Sequence, residues 1–389
     1  MTARLCSPML FACLALFLSG CSGSSSSDNG DPSLIITPAE AREHVDALPE
    51  TTDVLDAQQV ALGKLLFWDP ILSVGQDTAC ASCHHPDFDY SDGLFASLGT
   101  GATGLGTNRQ GGLRTARNSP TVVNTVFNGL TLSHTPSQAE APMFWDNRRL
   151  SLESQAEQPL LSEIEMAGNT LAEADVLPLL LSRLNTNSTY RTLFAEAFGG
   201  NNITREQLLA AIAIFQRSLV SNHSDFDRFM RGDTSALSAA QQRGLKSFID
   251  VGCADCHSGP MLSDYALHVL GTPDHLDNPN GVDRGAEDRF AFRTPSLRNL
   301  AHTGPYAHSG TRQSLRDILN FYVAASRGVS HHSQVSSTEI DTKVRALSRV
   351  DSAIEDLLRF FEALNDRRFD RSIPDTVPSG LPVGGSINQ

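Results

Sequence analysis

The chain has 389 residues and a formal net charge of -14, from 30 Lys and Arg against 44 Asp and Glu; it is 40% hydrophobic and 19% charged. That length excludes a small disulfide-stapled module, and the composition excludes both a disordered acidic tail and a multi-span membrane protein. The charge repels nucleic-acid backbones and suits a basic protein partner, which leaves a globular body long enough for two domains.

The first element is an address. Arg4 precedes an apolar stretch from Met9 to Leu18, and Leu18-Ser19-Gly20-Cys21 follows. This is the arrangement of a bacterial lipoprotein signal over residues 1–20, with Cys21 as the lipidated residue and residues 21–48 as a tether. A plain secretory signal is the alternative. Either sends the chain to the periplasm, in the first case as a membrane-anchored lipoprotein of a Gram-negative bacterium. Removal of residues 1–20 takes away Arg4 alone among the charged residues, so the mature chain is more acidic still.

Besides Cys21, the mature chain keeps four cysteines, arranged as Cys80-Ala81-Ser82-Cys83-His84 and Cys253-Ala254-Asp255-Cys256-His257. Each is the C-x-x-C-H string that attaches c-type haem: two thioethers hold the porphyrin and the adjacent His reaches the iron. A zinc ribbon or a pair of redox disulfides would also use two C-x-x-C pairs. Neither requires His directly after both, and c-type haem is attached outside the cytoplasm, where the signal sends this chain. We therefore expect two covalently bound haem c groups, on His84 and His257.

Between the two strings, the segment from Pro86 to Arg117 carries seven glycines between Gly93 and Gly112 and reads as a long loop. Thr204-x-x-Gln207 is a capping box opening a helix with Leu208, Ile212, Phe215 and Leu219 on one face. A domain junction falls near 200 to 225. Ser238-x-x-Gln241, Ser314-x-x-Asp317 and Ser352-x-x-Glu355 repeat the capping device. The stretch after Ser314 places Leu315, Ile318, Leu319 and Tyr322 on one helical face, where a core tyrosine needs a partner for its hydroxyl. Met261 reads as a packing residue near a haem edge, and the Pro-, Gly- and Ser-rich tail after Phe369 as a surface arm. Period-2 alternation is scarce. The fold class expected is mainly α, with two cytochrome c-like haem domains packed against each other and long loops.

A more specific pattern runs from about Leu62 to Leu364. It comprises Leu62-Gly63-Lys64-Leu65-Leu66-Phe67-Trp68-Asp69-Pro70, Arg117-Asn118-Ser119-Pro120-Thr121, Trp145-Asp146, Gln155, Pro159 and Glu165-Met166. After the second string come Arg293-Thr294-Pro295-Ser296-Leu297-Arg298-Asn299 and Thr303-Gly304-Pro305-Tyr306-Ala307-His308. This ordered set resembles the bacterial diheme cytochrome c peroxidase family, in particular its MauG-type branch.

The resemblance implies an N-terminal peroxidatic haem domain over residues 49–215, a C-terminal electron-transfer haem domain over 216–370 and a C-terminal arm over 371–389. It implies a diheme peroxidase that reduces hydrogen peroxide at the N-terminal haem, with electrons passed through the C-terminal haem from a small periplasmic donor such as a cytochrome or cupredoxin. Trp145 matches the family's tryptophan between the haems; Gln155, Pro159 and Glu165 match the pocket of the peroxide site. O–O heterolysis needs a group that takes a proton from one peroxide oxygen and returns it to the other, which Glu165 can do. The loop that supplies a capping histidine in the reductively activated peroxidases corresponds to Pro86–Arg117, which has no His, Met or Cys; an open N-terminal haem is implied.

Where those peroxidases place a Met on the second haem, fourteen residues beyond His308, this sequence has Tyr322, as in the MauG-type branch. Tyr322 is thus the expected second ligand to the His257 haem iron. Asn118, with the carbonyls of Thr303 and Pro305, matches the family's calcium site. Two other readings stand beside the peroxidase: a MauG-type enzyme that uses a high-valent diheme state to oxidise a residue of a partner protein, and a non-catalytic diheme electron carrier. The only tryptophans are Trp68 and Trp145, and neither marks an exit surface for the former.

Overall fold

The computed structural model describes residues 35–50, 53–278 and 281–389. The signal residues and Cys21 lie outside these. Helices carry the fold: α1 (Pro38–Ala41), α2 (Ala57–Trp68), α3 (Leu152–Leu161), α4 (Glu173–Thr186), α5 (Ser188–Phe198), α6 (Arg205–Ser218), α7 (Asp225–Met230), α8 (Ala239–Asp250), α9 (Leu315–Ser326), α10 (Thr342–Ala346) and α11 (Val350–Glu362). Among the described residues the β-structure is limited to short antiparallel ladders: β1 (Ala102–Thr103) with β2 (Gln110–Gly111), β3 (Pro142–Met143) with β4 (Arg149–Leu150), and β5 (Leu267–Val269) with β6 (Ala291–Arg293). The mainly α expectation holds.

The caps explain most of the helix starts. Thr204 and Ser238 close full capping boxes with Gln207 and Gln241, and the Ser314 hydroxyl accepts the Asp317 amide at 3.1 Å. Ser352 does not cap. Helix α11 begins earlier, at Val350 after a left-handed Arg349, and the Ser352 hydroxyl donates to the Arg349 carbonyl inside the first turn.

Buried side chains gather into an N-terminal set of cores built on α2 to α6 and a C-terminal core built on α7, α8, α9 and α11. The two halves repeat one plan. In each, the helix that precedes a haem string crosses a later helix at a glycine: α2 meets α6 where a Cβ on Gly63 would stand 1.9 Å from the Ala211 carbonyl oxygen. Helix α8 meets α11 where one on Gly244 would stand 2.1 Å from that of Asp356. Both are steric requirements for close helix approach. Leu208, Ile212, Phe215 and Leu219 are buried in the N-terminal cores as their spacing predicts, with α6 itself ending at Ser218 and Leu219 as its C-cap.

The termini depart from expectation. Residues 36–48 are not tether: Ile36, Ala41, Val45 and Leu48 are buried, the first three in the C-terminal core, because their apolar side chains cover α7 and α8. Likewise the tail after Phe369 is no loose surface arm. Val377 and Ile387 are buried in the N-terminal half against Trp68, and the Gly384 amide donates to the Trp68 carbonyl at 2.7 Å. The Ser82 hydroxyl, between the first two haem cysteines, donates to the Gly384 carbonyl at 2.9 Å. The first and the last described segments thus each brace the opposite half.

One buried ion pair ties the C-terminal half together. Arg298 donates to both carboxylate oxygens of Asp227 at 2.9 and 2.8 Å, and to the carbonyl of Pro260 in the second haem loop. The Leu48 amide donates to the same carboxylate at 3.0 Å. Burial works against the charge, but Arg298 and these hydrogen bonds hold the Asp227 pKa below its ordinary value.

Candidate active site

Both haem strings open as tight 3-10 turns, Cys80–Ser82 and Cys253–Asp255, whose cysteines are all free thiols. Burial pushes the thiols of Cys80, Cys83 and Cys253 up to about 12. Each following histidine is oriented through Nδ1: His84 by the Tyr90 carbonyl at 2.9 Å, with the Ser119 hydroxyl at 3.2 Å, and His257 by the Leu262 carbonyl at 3.0 Å. Burial lowers both histidine pKa values, so the rings are neutral with Nε2 free to bind a metal.

The two strings face one continuous cavity of about 820 Å³. Its wall includes Cys80, Cys83, His84, Cys253, Cys256 and His257, and also Trp145, Gln155, Glu165, Asn118, Thr303, Pro305 and Tyr322. Every site residue singled out from the sequence therefore lines the same space. The donor set on this cavity, paired thiols at two places with a neutral, Nδ1-anchored histidine beside each, is the one that two c-type haems require.

Glu165 owes its position to a break in helical geometry. Helix α3, capped by Ser151 and holding Pro159, ends at Leu161; Ser162 then caps a π-helical turn, Glu163–Ala167. The glycine-rich loop fixes this turn through Thr100, whose amide donates to the Ile164 carbonyl at 3.2 Å. Burial raises the Glu165 pKa, against the Ser162 hydrogen bond and the charge of Arg148. The loop itself is organised by buried Arg109, which donates to the carbonyls of Leu98, Gly104 and Gly99. Of the loop, Ser97, Thr115, Ala116 and Arg117 line the cavity. His85 turns elsewhere, its Nδ1 accepting the Asp87 amide and its ring edge-on to buried Trp68.

Trp145 connects the supports of both histidines. Its indole N–H donates to the Asn118 carbonyl at 2.9 Å, one residue before Ser119, which touches His84. Its own carbonyl accepts the Arg293 amide at 2.6 Å, and Pro295, two residues on, has its backbone against His257. Arg117 holds the same wall, paired with Asp283 at 2.5 and 2.9 Å and with Asp146 at 2.8 Å.

Tyr322 differs from the other tyrosines. Tyr90, Tyr190, Tyr265 and Tyr306 each donate their hydroxyl to a protein acceptor, whereas that of Tyr322 has none among the described residues. It faces the cavity beside Cys253 and Cys256, and burial raises its pKa. Burial thus keeps the phenol neutral unless a cation lies close to it. Met261 is buried near Phe127 and Tyr265, as a packing residue should be.

For the calcium set, the Asn118 amide nitrogen donates to the Leu94 carbonyl at 2.8 Å, leaving its side-chain oxygen available; Thr303 and Pro305 line the same cavity. No local signal announces the group around His268, which lies between Asp264 and Asp341 at 3.0 and 2.7 Å beside Cys256. Hydrogen bonding to Asp264 and Cys256 raises its pKa to about 11. Thioether formation at Cys256 would leave this group as a salt-bridged support of the second turn.

Fold and site together define a c-type cytochrome with two haem sites on one cavity. The chain belongs to the di-haem cytochrome c peroxidase family, whose sequence pattern matches residues 57–235. It is 32% identical to "Methylamine utilization protein MauG" of Methylophilus methylotrophus over 85% of this chain and 89% of that one. It is 34% identical to "Cytochrome c551 peroxidase" of Pseudomonas aeruginosa over 68% and 71%. The crystal structure of the diheme peroxidase BthA from Burkholderia thailandensis superposes with a TM-score of 0.63 over 86% of this chain and 93% of that one, at 20% identity, which shows a shared fold.

Proposed function

We propose that this protein is a diheme peroxidase that reduces hydrogen peroxide at the His84 haem and receives electrons through the His257 haem from a small periplasmic donor. The observation that carries this reading is Glu165, a half-buried carboxyl on the wall of the cavity that also holds His84, its pKa raised by desolvation. When bound, the haems supply the redox equivalents for O–O cleavage. The protein supplies the rest. His84 and His257, held through Nδ1, present Nε2 as ligands. Glu165 takes a proton from the inner peroxide oxygen and returns it to the outer one as water leaves, with Gln155 placed to orient the peroxide. Trp145, joined to the supports of both histidines, is the proposed electron path between them.

A second reading is favoured by one observation. The unpartnered Tyr322 hydroxyl beside the second attachment turn suits tyrosinate ligation, which stabilises oxidised iron and fits oxidation of a residue on a partner protein. A pure electron carrier has no use for a desolvated carboxyl at an open haem. Asn118, Thr303 and Pro305 are the proposed calcium ligands, completed by water. Cys21 is the proposed lipid anchor, and Cys21→Ser should release the protein from the membrane fraction.

The test is turnover of hydrogen peroxide with a reduced small cytochrome or cupredoxin, alongside the electron paramagnetic resonance spectrum of the ferric protein. Steady turnover with one high-spin and one low-spin haem supports the peroxidase. Slow turnover with the same spectrum shifts the reading to partner oxidation, and two low-spin haems without turnover overturn both.

A further inference from the structure

The guanidinium groups along the cavity are matched to anions, with one exception. Arg117 is paired with Asp283 and Asp146, Arg148 with Asp146, and Arg298 with Asp227. Arg293 has no carboxylate within ion-pair distance among the described residues. Its Nε is sealed from solvent with no acceptor; one Nη reaches the Pro142 carbonyl at 3.3 Å, and the group stands 5.4 Å from the Tyr265 ring centroid. Burial pulls its pKa below the ordinary guanidinium range. A buried cation left like this is costly unless an anion meets it.

The backbone offers Arg293 no freedom to swing away. It ends β6, opposite Leu267 of β5, its amide donates to the Trp145 carbonyl at 2.6 Å, and the next amide, Thr294, donates to the Ala266 carbonyl at 3.0 Å. The side chain is thus delivered to the cavity wall between Trp145 and the segment that backs His257.

We propose that Arg293 is a positioning residue whose guanidinium pairs with a haem propionate carboxylate on the wall that carries Trp145. This rests on the reading that the cavity takes two haems. Each haem brings two carboxylates, the acceptor chemistry that a guanidinium fork fits and that, of the arginines lining the cavity, Arg293 alone lacks among the described residues. The pairing sets the in-plane orientation of that haem relative to Trp145. A fixed positive charge at the propionate also favours the ferrous over the ferric form.

Pyridine haemochrome analysis first counts the haems; fewer than two per chain removes the diheme reading itself, apart from any role of Arg293. With two haems present, redox titration of Arg293→Gln should show the ferrous-to-ferric ratio of one haem falling about tenfold at fixed potential, about 59 mV for a one-electron couple. Arg293→Lys should restore most of it. Which haem moves identifies whose propionate is held. If Arg293→Gln fails to take up haem, the crystal structure of the native holoprotein decides. A propionate oxygen within about 3.2 Å of the guanidinium supports the pairing. Propionates all directed elsewhere, or unchanged potentials for both haems in Arg293→Gln, overturn it.

Discussion

The Nδ1 atom of His84 hydrogen-bonds the carbonyl of Tyr90 at 2.9 Å, and the Tyr90 ring packs edge-on against Phe67 at 5.9 Å. The residue that fixes the ligand's tautomer is itself fixed by the core, since its hydroxyl also reaches the Asp370 carbonyl at 2.8 Å. Orientation of the haem ligand is therefore coupled to the C-terminal tail that begins there.

Glu165 governs the first prediction. Replacing it with Gln keeps the shape of the pocket and removes the proton shuttle, so the second-order rate with peroxide should fall about 10²- to 10⁴-fold in stopped-flow measurements. The wild-type rate should rise with pH through a carboxyl pKa above the ordinary value of about 4.3, since burial raises it and the ionised form is the base. The Glu165→Gln rate should lack that limb.

Tyr322 carries the second. Tyr322→Phe should convert the His257 haem from six- to five-coordinate, seen as loss of its low-spin resonance. Tyr322→Met should keep a low-spin haem with a higher midpoint potential, because thioether sulfur favours ferrous iron where phenolate favours ferric.

Removal of one side of the Asp227–Arg298 pair should be severe. Arg298→Met leaves a carboxylate buried and uncompensated, at a cost of about 3–5 kcal/mol in denaturant unfolding. The pH dependence follows the Asp227 pKa, which is lower folded than unfolded. Its stabilising contribution is complete above the unfolded value of about 3.9 and is lost as pH falls through the folded one. In Arg298→Met this acid-side loss should shrink.

The tail makes a fourth prediction. Ile387→Ala removes a buried side chain packed near Trp68 and should destabilise the N-terminal half by about 2–5 kcal/mol, read as an earlier thermal transition of the His84 haem band. The His257 band should hold, because its core shares none of those contacts.

Calcium gives the last. Chelation with EGTA should perturb the spectra of both haems if Asn118, Thr303 and Pro305 hold the ion, and added Ca²⁺ should restore them. Asn118→Ala should mimic the chelated spectrum, since it removes the one side-chain ligand of the set.

The sequence by itself determined the chemistry that depends on contiguous residues. Cys80 to His84 and Cys253 to His257 are local covalent requirements, legible without a fold, and the caps at Thr204 and Ser238 are set within a single helical turn. The resemblance carried Trp145, Gln155, Glu165 and Tyr322 to one site, and all of them line the cavity. Tertiary structure decided what depends on distant partners. Nothing local distinguishes Ser352, three residues before an acid, from a true cap, because the helix start is chosen by the strained turn at Arg349. Nothing in the Pro-, Gly- and Ser-rich tail shows that Val377 and Ile387 will find Trp68, more than 300 residues earlier. The isolation of Arg293 is legible only as a difference, after every other cavity arginine has been matched to its acid across the fold. Contacts between distant segments are selected by the free energy of burying whole faces and pairing buried charge, which no short stretch of sequence contains.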